Sequence, residues 1–423
     1  MLRAALLAIL LVTATAHAEG QDFIDDAKLL YRVAACGGSD AVASPGSAGA
    51  RSDADAARRL IDAKLQKIVD KHCKAINERL AAFRTMYFDK AREWFDANVP
   101  KTTPKTVVYP FGGGDLISAL VAFPDATEIT TISLELGGDP RRLRTLTGKD
   151  LEISLSGLRA EIGGLIAVGS NTTEHLSEGQ HNELPAQVSS FLLGLVAGGY
   201  EPVSMRYFKI DDAGKVVYLE KADIETQDAE ADAKIKKLKK ARAKAIEDGN
   251  VTEGGQPKHD WQSPNFSLAF SNVEIQYRKV GESAVRVHRH IGWNLGDPWL
   301  KTHPQLIRHL EMKGDVTMLV KGASYLLWRP HFSKIRGYIL DHLAWMLSDS
   351  TGVPPAYAKP AGMVQETFGA YSGAFLEDAR ETKHDEAFIE LWKKQKKRKL
   401  GFRFGYVDMS KQAHLVVTRP RAK

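Results

Sequence analysis

Between Thr106 and Glu135 the chain reads TVVYPFGGGDLISALVAFPDATEITTISLE, and no other stretch limits the fold so tightly. Thr106 to Tyr109 is a short β-branched, apolar run of strand length. Gly112-Gly113-Gly114 reads as a tight turn, and Asp115 stands where a helix takes its capping acid. Leu116 to Phe123 reads as a helix, and Glu128 to Glu135 as a second strand. A strand, crossover and strand in one sheet connect right-handedly, which makes the two strands parallel neighbours. The unit therefore predicts an α/β fold with a mixed sheet.

The rest of the chain is built around this unit. From Asp53 to Val99, apolar residues including Ile61, Leu65, Ile68, Val69, Ile76, Leu80, Phe83, Tyr87 and Trp94 recur at steps of three and four. That spacing predicts one long amphipathic helix or a helical pair, ended by Pro100 and Pro104. Further helices are predicted over Leu151 to Val168 and Leu184 to Ala197, with a hairpin over Val203 to Ile210 and Lys215 to Leu219. In the second half, Phe266 to Tyr277, Ala284 to Ile291 and Val316 to Val320 read as strands. Gln305 to Met312 reads as a helix, and Phe332 to Leu347 as a strongly amphipathic one. Gly401 to Val407 and His414 to Thr418 are expected to close the sheet.

Ala222 to Gly249 forms a charged insertion in which Asp223 to Asp232 supply the acids and KIKKLKKARAK follows from Lys234, the order a helix dipole favours. It lacks an apolar stripe wide enough to dock, so it reads as a solvated arm, with an anionic partner as the sharper alternative. Asn250 to Pro264 is linker-like. The organisation expected is a signal peptide over 1–18, a helical region over 19–104, an α/β region over 105–221, the insertion and linker over 222–264, and a C-terminal α/β region over 265–423 on the same sheet.

Met1-Leu2-Arg3, the apolar run Ala4 to Val12, and the small residues Ala16 and Ala18 match a secretory signal peptide cleaved before Glu19. No later segment is long and apolar enough to span a bilayer, so no transmembrane segment is expected in the mature chain, and a periplasmic or secreted location is. The two cysteines, Cys36 and Cys73, fit a disulfide in an oxidising compartment. Two free thiols are the alternative. A lipoprotein box at Cys36 fails, because Glu19 to Arg32 ahead of it is charged.

With 423 residues, 43% hydrophobic and 26% charged, the chain is neither a disordered tail nor a disulfide-stapled miniprotein. Its net charge of +6 is mild, and its basic runs lack interleaved aromatics, so no nucleic-acid partner is expected.

The candidate ligand-binding residues are Gly112, Gly113, Gly114, Asp115 and Glu135. Glycines between a strand and a helix let a ligand approach the backbone, and an acid about 20 residues on stands where a dinucleotide fold holds a ribose hydroxyl. Against a nucleotide, Ile117 replaces the third fingerprint glycine, Asp115 would repel a phosphate, and an exported protein seldom meets such cofactors. No cofactor is expected. A pocket for some other ligand and a purely structural turn both stay open.

The pattern YPFxGxD, FPDA and LE, with Lys321 to Leu326, Phe332 to Arg336, Asp349 to Pro354 and Phe404 to Tyr406, resembles a set of uncharacterised secreted bacterial proteins with no assigned activity. The resemblance covers about Val107 to Pro140 and Lys321 to Tyr406. It implies an envelope location and carries over no catalytic residue. The Asn-x-Ser/Thr triplets at Asn171, Asn250 and Asn265 occur by chance at this frequency.

A strand period sets His288 and His290 on one face, within reach of one metal ion, and His303 or His309 could come near. Arg286 and Arg289 oppose a divalent cation there, so these are weak metal candidates and a solvated basic strand is expected. Ser324 lacks the closing glycine of a nucleophile elbow, since Leu326 takes that place. GxxxxGK[ST] and HExxH motifs are missing. The function expected is an exported envelope protein that binds an unknown small molecule or envelope component. The alternative is a hydrolase whose paired catalytic acids are Asp115 and Glu135.

Overall fold

A computed structural model of the chain describes residues 20–38, 63–168, 184–248, 267–373, 383–404 and 413–421. The expected signal peptide, the linker Asn250 to Pro264, and the triplets at Asn171, Asn250 and Asn265 lie outside the described residues.

The strand, glycine turn, helix and strand unit occupies the middle of one ten-stranded sheet. Its strands are β1 (Thr106–Pro110), β2 (Glu128–Ser133), β3 (Tyr200–Ile210), β4 (Val216–Tyr218), β5 (Asn272–Lys279), β6 (Val285–Gly292), β7 (Val316–Val320), β8 (Leu343–Ser348), β9 (Met363–Gly369) and β10 (His414–Pro420). Their spatial order is β4-β3-β5-β6-β2-β1-β7-β8-β10-β9. The five central strands β6, β2, β1, β7 and β8 are parallel, and the flanking pairs are antiparallel, so the sheet is mixed. From β1 the chain builds leftward through β2 and β6, then returns to β1's other side with β7 and β8. The topological switch point thus falls between β1 and β7, where an open α/β sheet parts its loops at the carboxyl ends of the strands.

Both faces of the central strands are buried, which is why their sequences are apolar without alternation. Val107 and Tyr109 face one core and Val108 the other; Leu319 and Met318 divide the same way, as do Leu415 and Val416. The first core is covered by α1 (Ile24–Val33), α2 (Ala63–Phe83), α3 (Asp89–Asn98), α4 (Leu116–Ala122), α5 (Gly148–Val168) and α6 (Ala186–Gly198). Helix α2 passes into α3 through a π-helical turn at Arg84–Phe88. Then come α7 (Lys221–Glu247), α8 (Asp297–Thr302), α9 (Gln305–Glu311), α10 (Ser333–His342), α11 (Pro355–Ala358) and α12 (His384–Lys394). The second core is filled from that group by Leu300, Leu306, Ile335, Ile339, Ala358 and Phe388.

The disulfide forms as expected. Cys36 and Cys73 are bridged with Cα atoms 5.3 Å apart, and the bond ties the end of α1 to the middle of α2. Beside it, His72 Nε2 donates to the Ala34 carbonyl at 2.9 Å, and the His72 ring is buried.

Four expectations are corrected. The helix read over Phe332 to Leu347 stops at His342, and Leu343 to Ser348 becomes β8, because those residues pair with β7 on one side and β10 on the other. Gly401 to Phe404 is not a strand; Phe402 and Phe404 instead pack on Phe95. The arm is not solvated from its start, since Ile224 is buried and Asp228 pairs with Arg141 at 3.0 Å. The basic strand carrying His288 and His290 is not solvated at those positions, as both rings are fully buried.

Candidate functional site

Two loops and the start of α6 meet at the carboxyl end of the central strands. The first follows β1. Gly112 N–H donates to Tyr109 O at 3.2 Å and to Ile132 O at 3.0 Å, and Asp115 N–H donates to Gly112 O at 2.9 Å, so the turn is pinned to both β1 and β2. Gly113 has φ of 47°, a conformation glycine takes without strain. A Cβ on Gly112 would sit 2.8 Å from the Tyr109 ring, and one on Gly114 would sit 3.0 Å from Ser190 Cβ. The glycines at 112 and 114 are thus required by the packing of the chain against itself.

Asp115 caps α4, accepting from Ser118 N–H at 3.3 Å. Its other oxygen accepts from Tyr109 O–H at 2.9 Å and pairs with Lys321 Nζ at 3.0 Å. Lys321 reaches across the switch point from the end of β7 and also donates to Ser118 Oγ at 2.7 Å. Both charges are 3% exposed. A buried ion pair needs further partners for its remaining lone pairs and protons, and Tyr109, Ser118 and the Phe404 ring beside Lys321 supply them in part. Burial, with the Asp115 charge beside it, pushes the Tyr109 hydroxyl well above the ordinary phenol range and keeps it a donor. Both Asp115 oxygens are engaged within the protein, and Lys321 is committed to Asp115 and Ser118.

Glu135 lies two residues past β2, in the second loop, and is 4% exposed. Its backbone carbonyl accepts from His290 Nε2 at 2.8 Å. Its carboxylate has no hydrogen-bond or ion-pair partner among the described residues. That makes it unlike Asp115.

The bonds behind Glu135 fix the histidine tautomers. A carbonyl only accepts, so His290 carries its proton on Nε2, and its Nδ1 accepts from Thr131 O–H at 3.0 Å. Thr131 Oγ1 then accepts from His288 Nε2, also at 3.0 Å, which leaves the His288 Nδ1 lone pair buried with no partner. Burial lowers both pKa values, that of His290 to about 4. The pair lies under Phe191 of α6, with ring centroids 4.4 Å and 5.0 Å away. Among the described residues no group of three His, Cys, Asp or Glu is placed to hold a metal. His303 stacks on Trp299 and His309 bonds the Gly214 carbonyl, so neither joins His288 and His290.

The start of α6 completes this end of the sheet. Val188 N–H donates to Gly137 O at 3.3 Å, and Pro185 lies against Gly138, which brings the start of α6 onto the loop after Glu135. Gln187 and Ser190, one helical turn apart, face Gly114. Gln187 is fully buried, and neither end of its amide has a hydrogen-bond partner among the described residues. Gln187 and Lys321 are the two site residues that sequence reasoning missed. Lys321 is 206 residues from Asp115 in the chain and carries no local signal for the pairing. Ser324 is buried and shares a hydrogen bond with Thr351 at 2.5 Å.

A cleft of about 30 Å³ lies at the amino end of β1, lined by Phe95, Val99, Lys105, Phe123 and Asp125. None of the candidate residues lines it. No described helix is long and apolar enough to cross a membrane. Comparison with protein-family models, with curated proteins and with solved structures finds no match.

Proposed function

We propose that this protein is an exported binding protein that holds a small, uncharged, hydroxyl-bearing ligand at the carboxyl edge of its sheet, with Glu135 as the hydroxyl acceptor. One observation carries the reading: Glu135, just past the end of β2, is 4% exposed and its carboxylate has no hydrogen-bond or ion-pair partner among the described residues, while Asp115, just past β1, is paired. A carboxylate that the protein itself leaves without a partner is free to accept from a ligand. An acceptor-only group takes hydroxyl donors. A phosphate or carboxylate ligand would meet the Glu135 charge, and Lys321, the cation at the turn, is held by Asp115.

Export rests on the N-terminal sequence and on the resemblance to secreted bacterial proteins, and the disulfide fits an oxidising compartment. The hydrolase reading is weaker, because Asp115 has both oxygens engaged and offers no carboxyl to pair with Glu135 in acid and base roles.

Thermal-shift screening of the mature chain against simple sugars, polyols and nucleosides tests the proposal. A hit is expected on the native protein and not on Glu135→Gln, whose melting temperature should equal or exceed the native value. A strongly destabilised Glu135→Gln that keeps the hit would sink it.

A further inference from the structure

Helix α7 is held to the body of the protein at its root. Ile224 is buried there, Asp228 pairs with Arg141 at 3.0 Å, and the Arg141 guanidinium lies 4.6 Å from the centre of the Phe270 ring. The ion pairs that α7 makes among the described residues, Arg141–Asp228 and Lys221–Glu225, both belong to this root. Farther along, Lys234, Lys236, Lys237, Lys240 and Lys244 are exposed. A helix of 27 residues is about 40 Å long, so the lysines are carried on the half away from the anchor.

From Ala233 to Ile246 the sequence has seven Lys or Arg and no acid, whereas the net charge of the whole chain is +6. The positive excess is thus concentrated on the arm, and the remainder of the chain is close to neutral. Lys236, Lys240 and Lys244 follow at steps of four, and Lys234, Lys237 and Lys240 at steps of three, so the exposed lysines share one broad face of the helix. Like charges at this spacing weaken a helix, and an anionic surface relieves that repulsion.

The residue types define the partner. Lysine is a compact point charge that suits a diffuse negative field, whereas arginine's planar fork reads individual phosphates and carboxylates. No aromatic residue occurs in α7 to stack on bases or sugar rings, as single-stranded nucleic acids and polysaccharides favour. A lysine-rich helix face is drawn to anionic headgroups within a Debye length of a bilayer. The exposed acids Glu225 and Glu230 are repelled from the same surface, which sets the start of contact at Lys234. We propose that the distal half of α7 is a docking arm that lays its lysine face on anionic lipid headgroups and holds the protein peripherally at a membrane surface. Neither this docking nor the Glu135 site depends on the other.

Co-sedimentation of the mature chain with vesicles tests the arm. Binding is expected to vesicles of phosphatidylglycerol and phosphatidylcholine in equal parts, not to phosphatidylcholine alone, and should disappear between about 0.1 M and about 1 M salt as the Debye length shrinks. Changing Lys234, Lys236, Lys237, Lys240 and Lys244 together to glutamine, which keeps helix propensity, should leave the melting temperature unchanged and weaken vesicle binding by about a hundredfold or more. Replacing Glu230 to Glu247 by a short Gly/Ser linker should do the same. Glutamine at the exposed Lys396, Lys397 and Lys399, a basic run elsewhere on the surface, should leave binding as it is. Failure of the native chain to bind the anionic vesicles, or equal binding by the five-lysine variant and the deletion, would overturn the proposal. So would an equal loss in the Lys396, Lys397 and Lys399 variant, which would show unspecific charge. Tighter binding to dextran sulfate than to the vesicles, at equal charge concentration, would overturn the lipid assignment and show a site for a polyanion.

Discussion

Asp115 and Lys321 lie on opposite sides of the switch point and meet at 3.0 Å, so the gap where the sheet's two halves part is bridged by a buried ion pair. This pairing turns the glycine loop from a phosphate cradle into a closed, neutral corner. It also makes the junction between β1 and β7 depend on two side chains whose charges must be lost or kept together.

Lys321→Met should therefore destabilise the protein by about 3 to 5 kcal/mol, because it strands the Asp115 charge in the interior. Asp115→Leu with Lys321→Met should lose less than the two single changes added. Urea unfolding of the three variants measures this, and a single variant within about 1 kcal/mol of native would show that the pair is not desolvated.

Removing the Cys36–Cys73 bridge by changing both residues to alanine should cost about 3 to 4 kcal/mol, the loop-closure entropy of a cross-link with a sequence separation of 37. The effect is read as a shift in denaturation midpoint. Native protein treated with reductant should match the double variant, and an unchanged midpoint in both would contradict it.

The buried histidines set the acid limb of stability. His72, His290 and His309 are held neutral by burial, each with its pKa lowered to about 4, against an unfolded value near 6.5. Between those values the unfolded chain binds protons that the folded chain refuses. Stability therefore falls as pH drops from about 6.5 toward 4, by up to about 1.4 kcal/mol per pH unit for each histidine, and these groups contribute no slope above that window. Unfolding free energies measured from pH 4.5 to 7.5 should show the slope, and His309→Gln should flatten it. A flat profile in the native protein would mean that these rings are solvated.

The arm divides after its first turns. Deleting Glu230 to Glu247 and closing the gap with a short Gly/Ser linker should leave the melting temperature unchanged, whereas Ile224→Ala should cost about 2 to 5 kcal/mol, since Ile224 is buried where the arm leaves the body. Differential scanning calorimetry distinguishes them. A deletion as harmful as Ile224→Ala would show that the distal arm also docks.

What the sequence makes legible follows from how local each signal is. The unit from Thr106 to Glu135 can be read because glycines and a capping acid separate two β-branched runs. The bridge between Cys36 and Cys73 can be read because the chain has only those two thiols. Strand β8 is hidden, since no glycine or proline separates His342 from Leu343, and Leu343 and Leu347 continue the helical spacing of Ile335 and Ile339. Pairing with β7 and β10 decides its conformation, and both partners are remote. Strand β9 is hidden too, because Gln365, Glu366 and Thr367 break its apolar run; it lies at the sheet edge, where polar residues are tolerated. Lys321 and Gln187 belong to the same class, as their meaning comes from loops that only the fold brings together.

Strand β10 comes after both of its neighbours in the chain yet lies between them. Until residues 414–420 are available, β8 and β9 each present an open edge with unpaired amides and carbonyls, and nothing earlier in the chain can fill the gap between them. The left flank, by contrast, is assembled from β3, β4, β5 and β6 by contacts made in order of synthesis. A chain delivered from its N-terminus would thus complete one side of the sheet while the other waited, and a truncation just before His414 would yield two sticky edges rather than a shorter sheet. Such a truncated chain is expected to associate with its own copies, because strand addition from a second molecule is the remaining way to satisfy β8.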